Sequence, residues 1–207
     1  MRRIVFATGN KGKMREIKAI MSGFDIEIVS MREAGVEVDV EEDGTTFMEN
    51  SFIKARAVAD KCRQAGYTDD IVLADDSGLV VDALGGEPGI YSARYLGEDT
   101  PYSIKNAKII ERMEGVPEDE RSARFVCAIA CVLPDGRELS AEATYEGAIG
   151  YEEKGENGFG YDPIFYLPDR GLYSAELDPD EKNRISHRGK ALVKMRELLL
   201  KELEPNG

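Results

Sequence analysis

Apolar runs alternate with polar, glycine-rich segments along this chain, and the spacing of the apolar residues indicates where strands and helices lie. Short continuous apolar runs are typical of buried strands. The predicted strands cover residues 2–7, 25–29, 71–74, 79–84, 123–133, 138–149 and 164–167, with residues 36–40 as a further candidate. The runs at 123–133 and 138–149 are predicted to form a hairpin, because Pro134-Asp135-Gly136-Arg137 is a turn sequence.

Apolar residues at intervals of three and four predict the helices. These cover residues 11–22, 46–64 and 101–113, a short segment after Asp178, and a last helix after Ser186. Thr46 is followed three residues later by Glu49, which is a capping-box pattern at a helix start.

The apolar runs 71–74 and 79–84 are separated by Asp75-Asp76-Ser77-Gly78. Because Asp, Ser and Gly are turn formers, we predict that the strand breaks here. At a turn both carboxylates can reach one cleft, where they repel each other unless a cation lies between them. An ordinary solvated turn explains the same four residues, so these residues alone leave both interpretations open.

A second polar segment, Thr8-Gly9-Asn10-Lys11-Gly12-Lys13, joins the first predicted strand to the first predicted helix. Such a turn offers free backbone N–H groups and the positive end of the helix dipole to an anion. It is not a Walker A loop, because Ala7 and Met14 occupy positions where that motif requires Gly and Ser or Thr. A helix start with solvated lysines is the alternative.

Two long glycine-rich segments, 85–95 and 155–163, are the kind of loop that often carries function. In the second, glycines surround Phe159, which lets backbone approach a flat ligand while a ring stacks on it. A mobile hairpin with a packed Phe159 would show the same pattern. Asn50 and Lys54 share one helix face, and a solvated pair is the simpler interpretation of them.

His187 is the only histidine, and it lies with Arg188 in the first turn of the last predicted helix, whose N-cap is predicted to be Ser186. The apolar stripe of that helix starts at Leu192 and does not need either side chain. If they contact a ligand, their replacement by alanine is expected to leave the fold intact. A structural role for a lone histidine is the alternative.

Composition limits the classes of partner. The chain has 207 residues, of which 42% are hydrophobic and 32% charged, which fits one large globular domain or two lobes sharing a core. The net charge of −13 argues against a nucleic-acid polymer as partner, because binding one requires a cationic face. A few lysines and a metal can still bind a small anion.

The compartment is predicted from the amino terminus and the cysteines. The apolar run at 4–7 is too short for a signal peptide or a membrane span, so we expect neither. Cys62, Cys127 and Cys131 have no metal-type spacing and fall within apolar patterns. We therefore expect reduced core cysteines in a cytoplasmic protein.

Six segments, in order along the chain, closely resemble the inosine triphosphate pyrophosphatase family. These enzymes hydrolyse non-standard purine nucleoside triphosphates to the monophosphate and pyrophosphate. The segments are Thr8-Gly9-Asn10 with Lys13; Glu42, Gly44-Thr45-Thr46-Phe47, Glu49-Asn50 and Lys54-Ala55; Asp75-Asp76-Ser77-Gly78; Pro88-Gly89 with Ser92-Ala93-Arg94; Gly158-Phe159-Gly160-Tyr161-Asp162-Pro163; and Ser186-His187-Arg188-Gly189.

The resemblance implies an α/β fold that is elongated and two-lobed, with flanking helices around a long twisted mixed sheet. It implies an active-site cleft between the lobes, a single domain over residues 1–207 with no linker, and a homodimer. The implied activity is Mg²⁺-dependent hydrolysis of ITP, dITP and XTP, which cleanses the nucleotide pool.

The resemblance also implies roles for individual residues. Glu42 and Asp76 are the expected Mg²⁺ ligands, and Asp76 is also the expected general base; whether Glu41 or Asp75 shares the metal stays open. Lys54 is expected to contact phosphate, and Phe159 to Asp162 to bind the base. The full set of expected substrate contacts is Thr8, Gly9, Asn10, Lys11, Gly12, Lys13, Lys54, Ser77, Phe159, Gly160, Tyr161, Asp162, Lys182, His187 and Arg188.

Base choice has a physical explanation within this hypothesis. Hypoxanthine and xanthine present a carbonyl acceptor where adenine presents an amino donor. Donors from backbone amides, His187 or Arg188 would pair with the carbonyl and reject adenine. Two other hypotheses remain: a Maf-like pyrophosphatase that prefers pyrimidine or modified nucleotides, and a nucleotide-binding sensor without turnover.

Overall fold

The computed structural model describes residues 3–23 and 26–203. The strands are β1 Arg3–Phe6, β2 Glu27–Ser30, β3 Ile71–Val81, β4 Ser122–Val132, β5 Glu138–Ile149, β6 Phe165–Leu167 and β7 Leu172–Tyr173. The helices are α1 Lys11–Ile20, α2 Met31–Ala34, α3 Phe47–Gln64, α4 Tyr102–Arg112, α5 Pro179–Ile185 and α6 His187–Leu203.

The seven strands form one mixed sheet in the order β2-β1-β3-β4-β5-β6-β7. Strand β1 pairs in parallel with both β2 and β3, so Ile4 lies opposite Ile28 on one side and Ile71 on the other. Strands β5, β6 and β7 pair antiparallel. The predicted α/β fold with a mixed sheet and helices is confirmed.

Strand β3 departs from the predicted pattern. It runs without a break from Ile71 to Val81, so the turn predicted at Asp75-Asp76-Ser77-Gly78 is wrong. Both carboxylates are part of an interior strand between β1 and β4. The polar side chains stay in the ladder because charged and amide groups from other elements contact them there, as described below.

Other element predictions differ in detail. Residues 36–40 form no strand, although Val36 is fully buried in a core cluster. The Thr46 hydroxyl accepts a hydrogen bond from Glu49 N at 3.1 Å, as the capping pattern predicts. The Glu49 carboxylate, however, accepts from the amide and hydroxyl of Thr45, one residue earlier than expected. The prediction that a strand begins at residue 25 falls partly on Asp25, which lies outside the described residues.

The chain divides into two compact units. The first comprises residues 1–76, 127–143 and 188–207, and it contains two apolar clusters. One is centred on Phe6, Ile17 and Ile129 and the other on Val5, Val58 and Val72.

The second unit comprises residues 77–126 and 144–187. Its core packs Leu79, Ile109 and Phe165 with their neighbours. Cys62, Cys127 and Cys131 are free and buried in the interior of the first unit, so the prediction that they are core residues is confirmed. None of the helices within 3–23 and 26–203 has the length and apolar character that crossing a bilayer requires.

Candidate active site

The acid pair on β3 is the polar centre of the first unit. Asp75 is fully buried and Asp76 is 8% exposed. Because successive strand side chains point to opposite faces, the two carboxylates have different surroundings. Each is held by its own set of partners.

Asp75 is surrounded by cations. Its Oδ2 lies 2.9 Å from Lys13 Nζ and 3.5 Å from Arg188 Nε, and Arg188 also forms an ion pair with Glu16. Burial alone raises the pKa of Asp75, but Lys13, Arg188 and Lys54 together hold that pKa below its ordinary value. Asp75 therefore stays ionised at neutral pH, and its carboxylate holds Lys13 and Arg188 in place.

The surroundings of Asp76 shift its pKa in the opposite direction, upward. Burial raises the pKa of its carboxyl to about 6, Lys54 and Lys13 oppose that rise, and Glu42 adds to it. Its Oδ2 accepts a hydrogen bond from Asn50 Nδ2 at 3.2 Å. A carboxylate whose pKa lies close to neutral pH is suited to accept a proton from water.

Helix α3 supplies Asn50 and Lys54 to this centre, so their interpretation as a solvated pair is wrong. Asn50 is fully buried, and its Oδ1 accepts from Gly44 N at 2.9 Å while its amide donates to Asp76. Lys54 Nζ donates to the backbone oxygen of Asp75 and pairs with Glu42, each at 3.1 Å. Lys54 thereby connects the loop that carries Glu42 to β3.

The loop before α1 brings a helix N-terminus to the same unit. Asn10 is the N-cap, since its side chain accepts from Lys13 N at 3.1 Å, and Thr8 Oγ1 accepts from Asn10 N at 3.2 Å. Gly9, Asn10 and Lys11 are exposed. The loop therefore presents backbone N–H groups and a lysine in the geometry that favours anions.

The second unit contains the glycine-rich segment 155–163, which includes Phe159. The Asp162 carboxylate is buried and accepts from Phe159 N at 2.8 Å, from Lys182 Nζ at 2.6 Å and from Ser174 Oγ at 3.0 Å. Lys182 Nζ also lies 5.3 Å from the centre of the Phe159 ring. The structure thus brings together Phe159 and Asp162, which are expected to bind the base, and Lys182, which is expected to contact the nucleotide.

His187 and Arg188 are more deeply embedded than their sequence position suggested. The His187 ring stacks on Phe125 at 4.9 Å with an interplanar angle of 12°, and only 5% of the residue is exposed. Arg188 is 3% exposed and belongs to the first unit. The expectation that both side chains are dispensable for folding does not fit these contacts.

The chain matches known proteins over nearly its whole length. The model of the Ham1 family matches residues 4–198. A dITP/XTP pyrophosphatase of Caldanaerobacter subterraneus subsp. tengcongensis is 48% identical over 206 residues, which cover 100% of both chains. A dITP/XTP pyrophosphatase of Clostridium perfringens is 47% identical and covers 96% of this chain and 98% of its own.

Solved structures agree with the sequence comparison. A HAM1 protein from Coxiella burnetii aligns with a TM-score of 0.85 at 40% identity, over 97% of this chain and 100% of its own. The Ham1 protein of Staphylococcus aureus aligns with a TM-score of 0.84 at 39% identity, over 98% and 100%. The chain belongs to the Ham1 family.

Membership in the Ham1 family confirms the resemblance drawn from the six sequence segments. The structure places the residues of those segments in two groups. Thr8–Lys13, Glu42, Lys54, Asp76 and Arg188 lie in the first unit, and Ser77, Phe159–Asp162 and His187 lie in the second, together with the further expected contact Lys182. Their individual roles toward a substrate stay predictions.

The donor set of the first unit can be tested for its fit to a metal. Among residues 3–23 and 26–203, no three or more His, Cys, Asp or Glu side chains form a group that could hold an ion. Glu42 and Asp76 are two carboxylates close enough for Glu42 to affect the pKa of Asp76. Magnesium bound with a triphosphate needs only one or two carboxylates, because phosphate oxygens and water complete its octahedron. The residues therefore fit magnesium held jointly with substrate. Asp75 is fully buried and is held by both Lys13 and Arg188, so it is a poorer candidate than Glu42 and Asp76.

Two members of this Ham1 site received no role from the sequence. For Asn50, the i, i+4 spacing from Lys54 is the one local signal in the sequence, and it indicates that the two side chains share a helix face. Glu16 carried no signal at all, because its partner Arg188 is 172 residues away in the chain. Pairing of this kind depends on the fold and is invisible to local patterns.

Proposed function

We propose that this Ham1-family chain hydrolyses non-standard purine nucleoside triphosphates, namely ITP, dITP and XTP, to the monophosphate and pyrophosphate. One observation carries the proposal: the two adjacent carboxylates on β3 are surrounded by Lys13, Lys54 and Asn50. The names of the full-length relatives support the same activity.

In this proposal the first unit binds the phosphates. A triphosphate carries about four negative charges, and its hydrolysis requires charge neutralisation and an aligned water. The neutralising positive charge comes from Lys13, Lys54 and the backbone N–H groups after Thr8. The Asp76 carboxylate accepts the proton of the attacking water, and the P–O bond between the α and β phosphates breaks to release pyrophosphate.

We propose Glu42 and Asp76 as the residues that hold Mg²⁺ together with substrate oxygens. Bound there, the ion neutralises phosphate charge and lowers the pKa of a coordinated water. Chelation is therefore expected to abolish turnover, and added Mg²⁺ to restore it. Turnover that persists in excess chelator would argue against this assignment.

We propose that Phe159, Gly160, Tyr161, Asp162 and Lys182 of the second unit bind the base. Glycines beside Phe159 leave room for a flat ring, and the buried Asp162 fixes the Phe159 amide. A base contact for His187 also stays part of the proposal, although its ring is mostly buried against Phe125.

Assembly and location complete the proposal. We propose a homodimer, as the family resemblance implies. Light scattering should then give a mass of about 46 kDa, twice the chain mass of 22.9 kDa. A cytoplasmic location is supported by three free, buried cysteines.

A pyrophosphate-release assay separates this proposal from its alternatives. The predicted result is turnover of ITP and XTP. Turnover of pyrimidine nucleotides instead would favour a Maf-like activity, which the match to the Ham1 family disfavours. Tight ITP binding without pyrophosphate release would favour a sensor.

A further inference from the structure

Helix α4 contains a buried amide that the proposed reaction does not use. Asn106 is 1% exposed, and its Nδ2 donates to the backbone oxygen of Gly160 at 3.2 Å and to Glu153 Oε1 at 2.6 Å. Both neighbours are acceptors, so the amino group must face them. Gly160 lies in the segment assigned to the base, which means that α4 contacts this segment directly.

Other hydrogen bonds of the base segment restrain different atoms. The Phe159 amide donates to Asp162, and the Tyr161 hydroxyl donates to the backbone oxygen of Ser92 at 2.7 Å. Between them, Gly160 adopts φ +69, in the left-handed region that only glycine enters readily. The Asn106 hydrogen bond restrains the carbonyl at this most permissive residue.

The amide of Asn106 is not explained by stability alone. Its Oδ1 is buried and has no hydrogen-bond partner in the part of the chain that the structure describes. A buried acceptor without a partner is unfavourable, and the two hydrogen bonds of the amino group offset that cost. A polar side chain that is kept in the interior at this cost and is bonded to a predicted binding segment fits a functional constraint.

We propose that Asn106 is a positioning residue: by holding the Gly160 carbonyl it fixes the Phe159–Tyr161 backbone, and the preference for 6-carbonyl purines depends on it. This inference rests on the proposed function and names a determinant of its base selectivity. Asn106 itself does not touch the reacting phosphates, and its effect passes through Gly160.

The test compares N106A with wild type on ITP, ATP and inorganic tripolyphosphate, which has no base. We expect kcat/KM for ITP to fall by about tenfold or more, because a small misplacement of a binding segment costs that much. The weak ATP reaction should fall much less, and competitive inhibition by tripolyphosphate should be unchanged. An ITP-to-ATP ratio equal to that of wild type would overturn the inference.

A matched control separates positioning from simple destabilisation. Ile109 is fully buried on the same helix, and I109V removes a methyl group without touching Gly160. We expect I109V to lower the Tm while leaving the ITP-to-ATP ratio at its wild-type value. If I109V and N106A shift the ratio equally, the role of Asn106 is only structural.

A second variant separates the Gly160 contact from the Glu153 contact. E153A removes the Glu153 acceptor and leaves the Asn106 amide able to donate to the Gly160 carbonyl. We expect E153A to keep the wild-type ITP-to-ATP ratio, and a loss of selectivity equal to that of N106A would overturn the assignment to Gly160.

Pyrophosphate release by the wild-type protein shows whether the proposed function or only the inference about Asn106 fails. Absence of pyrophosphate release from ITP and XTP by wild type would overturn the proposed function and this inference with it. Wild-type turnover combined with unchanged N106A selectivity would overturn the inference alone.

Discussion

Asp75 and Asp76 are neighbours on one strand, yet their environments move their pKa values in opposite directions. Lys13 and Arg188 keep Asp75 ionised, whereas burial brings the pKa of Asp76 to about 6. Pairs of carboxylates with separated pKa values are typical of sites that divide charge anchoring from proton transfer. We assign the anchoring role to Asp75 and the proton-accepting role to Asp76.

The first prediction tests Asp76. D76N keeps the size of the side chain but removes the basic oxygen, so turnover of ITP should fall by about a hundredfold or more with the fold intact. D70N is the control, because Asp70 pairs with Arg3 at the start of β3 and has no proposed role in catalysis. Pyrophosphate release measures the turnover of both variants, and thermal melts measure their stability. Near-normal turnover by D76N would contradict the proposed roles of Asp76.

Lys13 and Lys54 provide the second prediction. K13A and K54A should weaken binding of every triphosphate and leave the ratio of ITP to ATP hydrolysis unchanged, because neither lysine is expected to read the base. K13A should also lose stability, on the order of 3 kcal/mol, since it removes a partner of the buried Asp75 carboxylate. Steady-state kinetics with urea unfolding check both points; a changed ratio would contradict the phosphate assignment.

Arg188 gives a third prediction, which the structure reverses from the sequence-based expectation. R188A removes a buried cation that pairs with both Asp75 and Glu16, so the free energy of unfolding should decrease by about 3 kcal/mol. H187A removes a stack on Phe125 and should cost less, about 1 kcal/mol. Urea unfolding followed by circular dichroism measures both. Wild-type stability of R188A together with lost ITP preference would instead support a direct base contact.

At the scale of elements, local patterns predicted most of the fold but failed at the site. The hairpin around Asp135-Gly136 and the long helix after Thr46 follow from turn and capping chemistry that is local in sequence. The unbroken strand β3 does not follow from local sequence. Its acidic residues are turn formers, and their partners come from α1, α3 and α6. Tertiary contacts override propensity at this position.

Gly158 supplies an element-scale prediction for the base segment. It adopts φ +77, and a Cβ there would lie 2.3 Å from Asp162 Oδ2 and 3.1 Å from Lys182 Nζ. G158A should therefore displace the Asp162 carboxylate and lower kcat/KM for ITP by about tenfold or more. Kinetics on ITP together with thermal melts measure the effect.

Gly136 is a matched control for backbone strain. Its φ is +88, but a Cβ there would meet no atom within 4 Å. G136A and G158A should share a stability loss of about 1–2 kcal/mol from the left-handed conformation. Only G158A should lose activity, and an equal loss in both variants would contradict the packing argument.

At the scale of the whole molecule, the sequence predicted the family and much of the candidate site. The segments around Lys13, Lys54 and Asp76 are compact enough to be recognised, and all three lie in the first unit. The net charge of −13 does not rule out anion binding at this site, because Lys13, Lys54 and Arg188 cluster around the buried Asp75 carboxylate. The ion pair of Glu16 with Arg188 and the contact of Asn106 with Gly160 depend on the folded chain, so they could not be predicted.

The central claim is tested most directly by identifying substrates and products together. Purified protein with Mg²⁺ is incubated separately with ITP, XTP, dITP, ATP and a pyrimidine triphosphate, and pyrophosphate and monophosphate are quantified. We predict one pyrophosphate and one monophosphate per ITP consumed, with kcat/KM about a hundredfold or more above that for ATP. Inorganic phosphate as the first product, or equal turnover of ITP and ATP, would contradict the account.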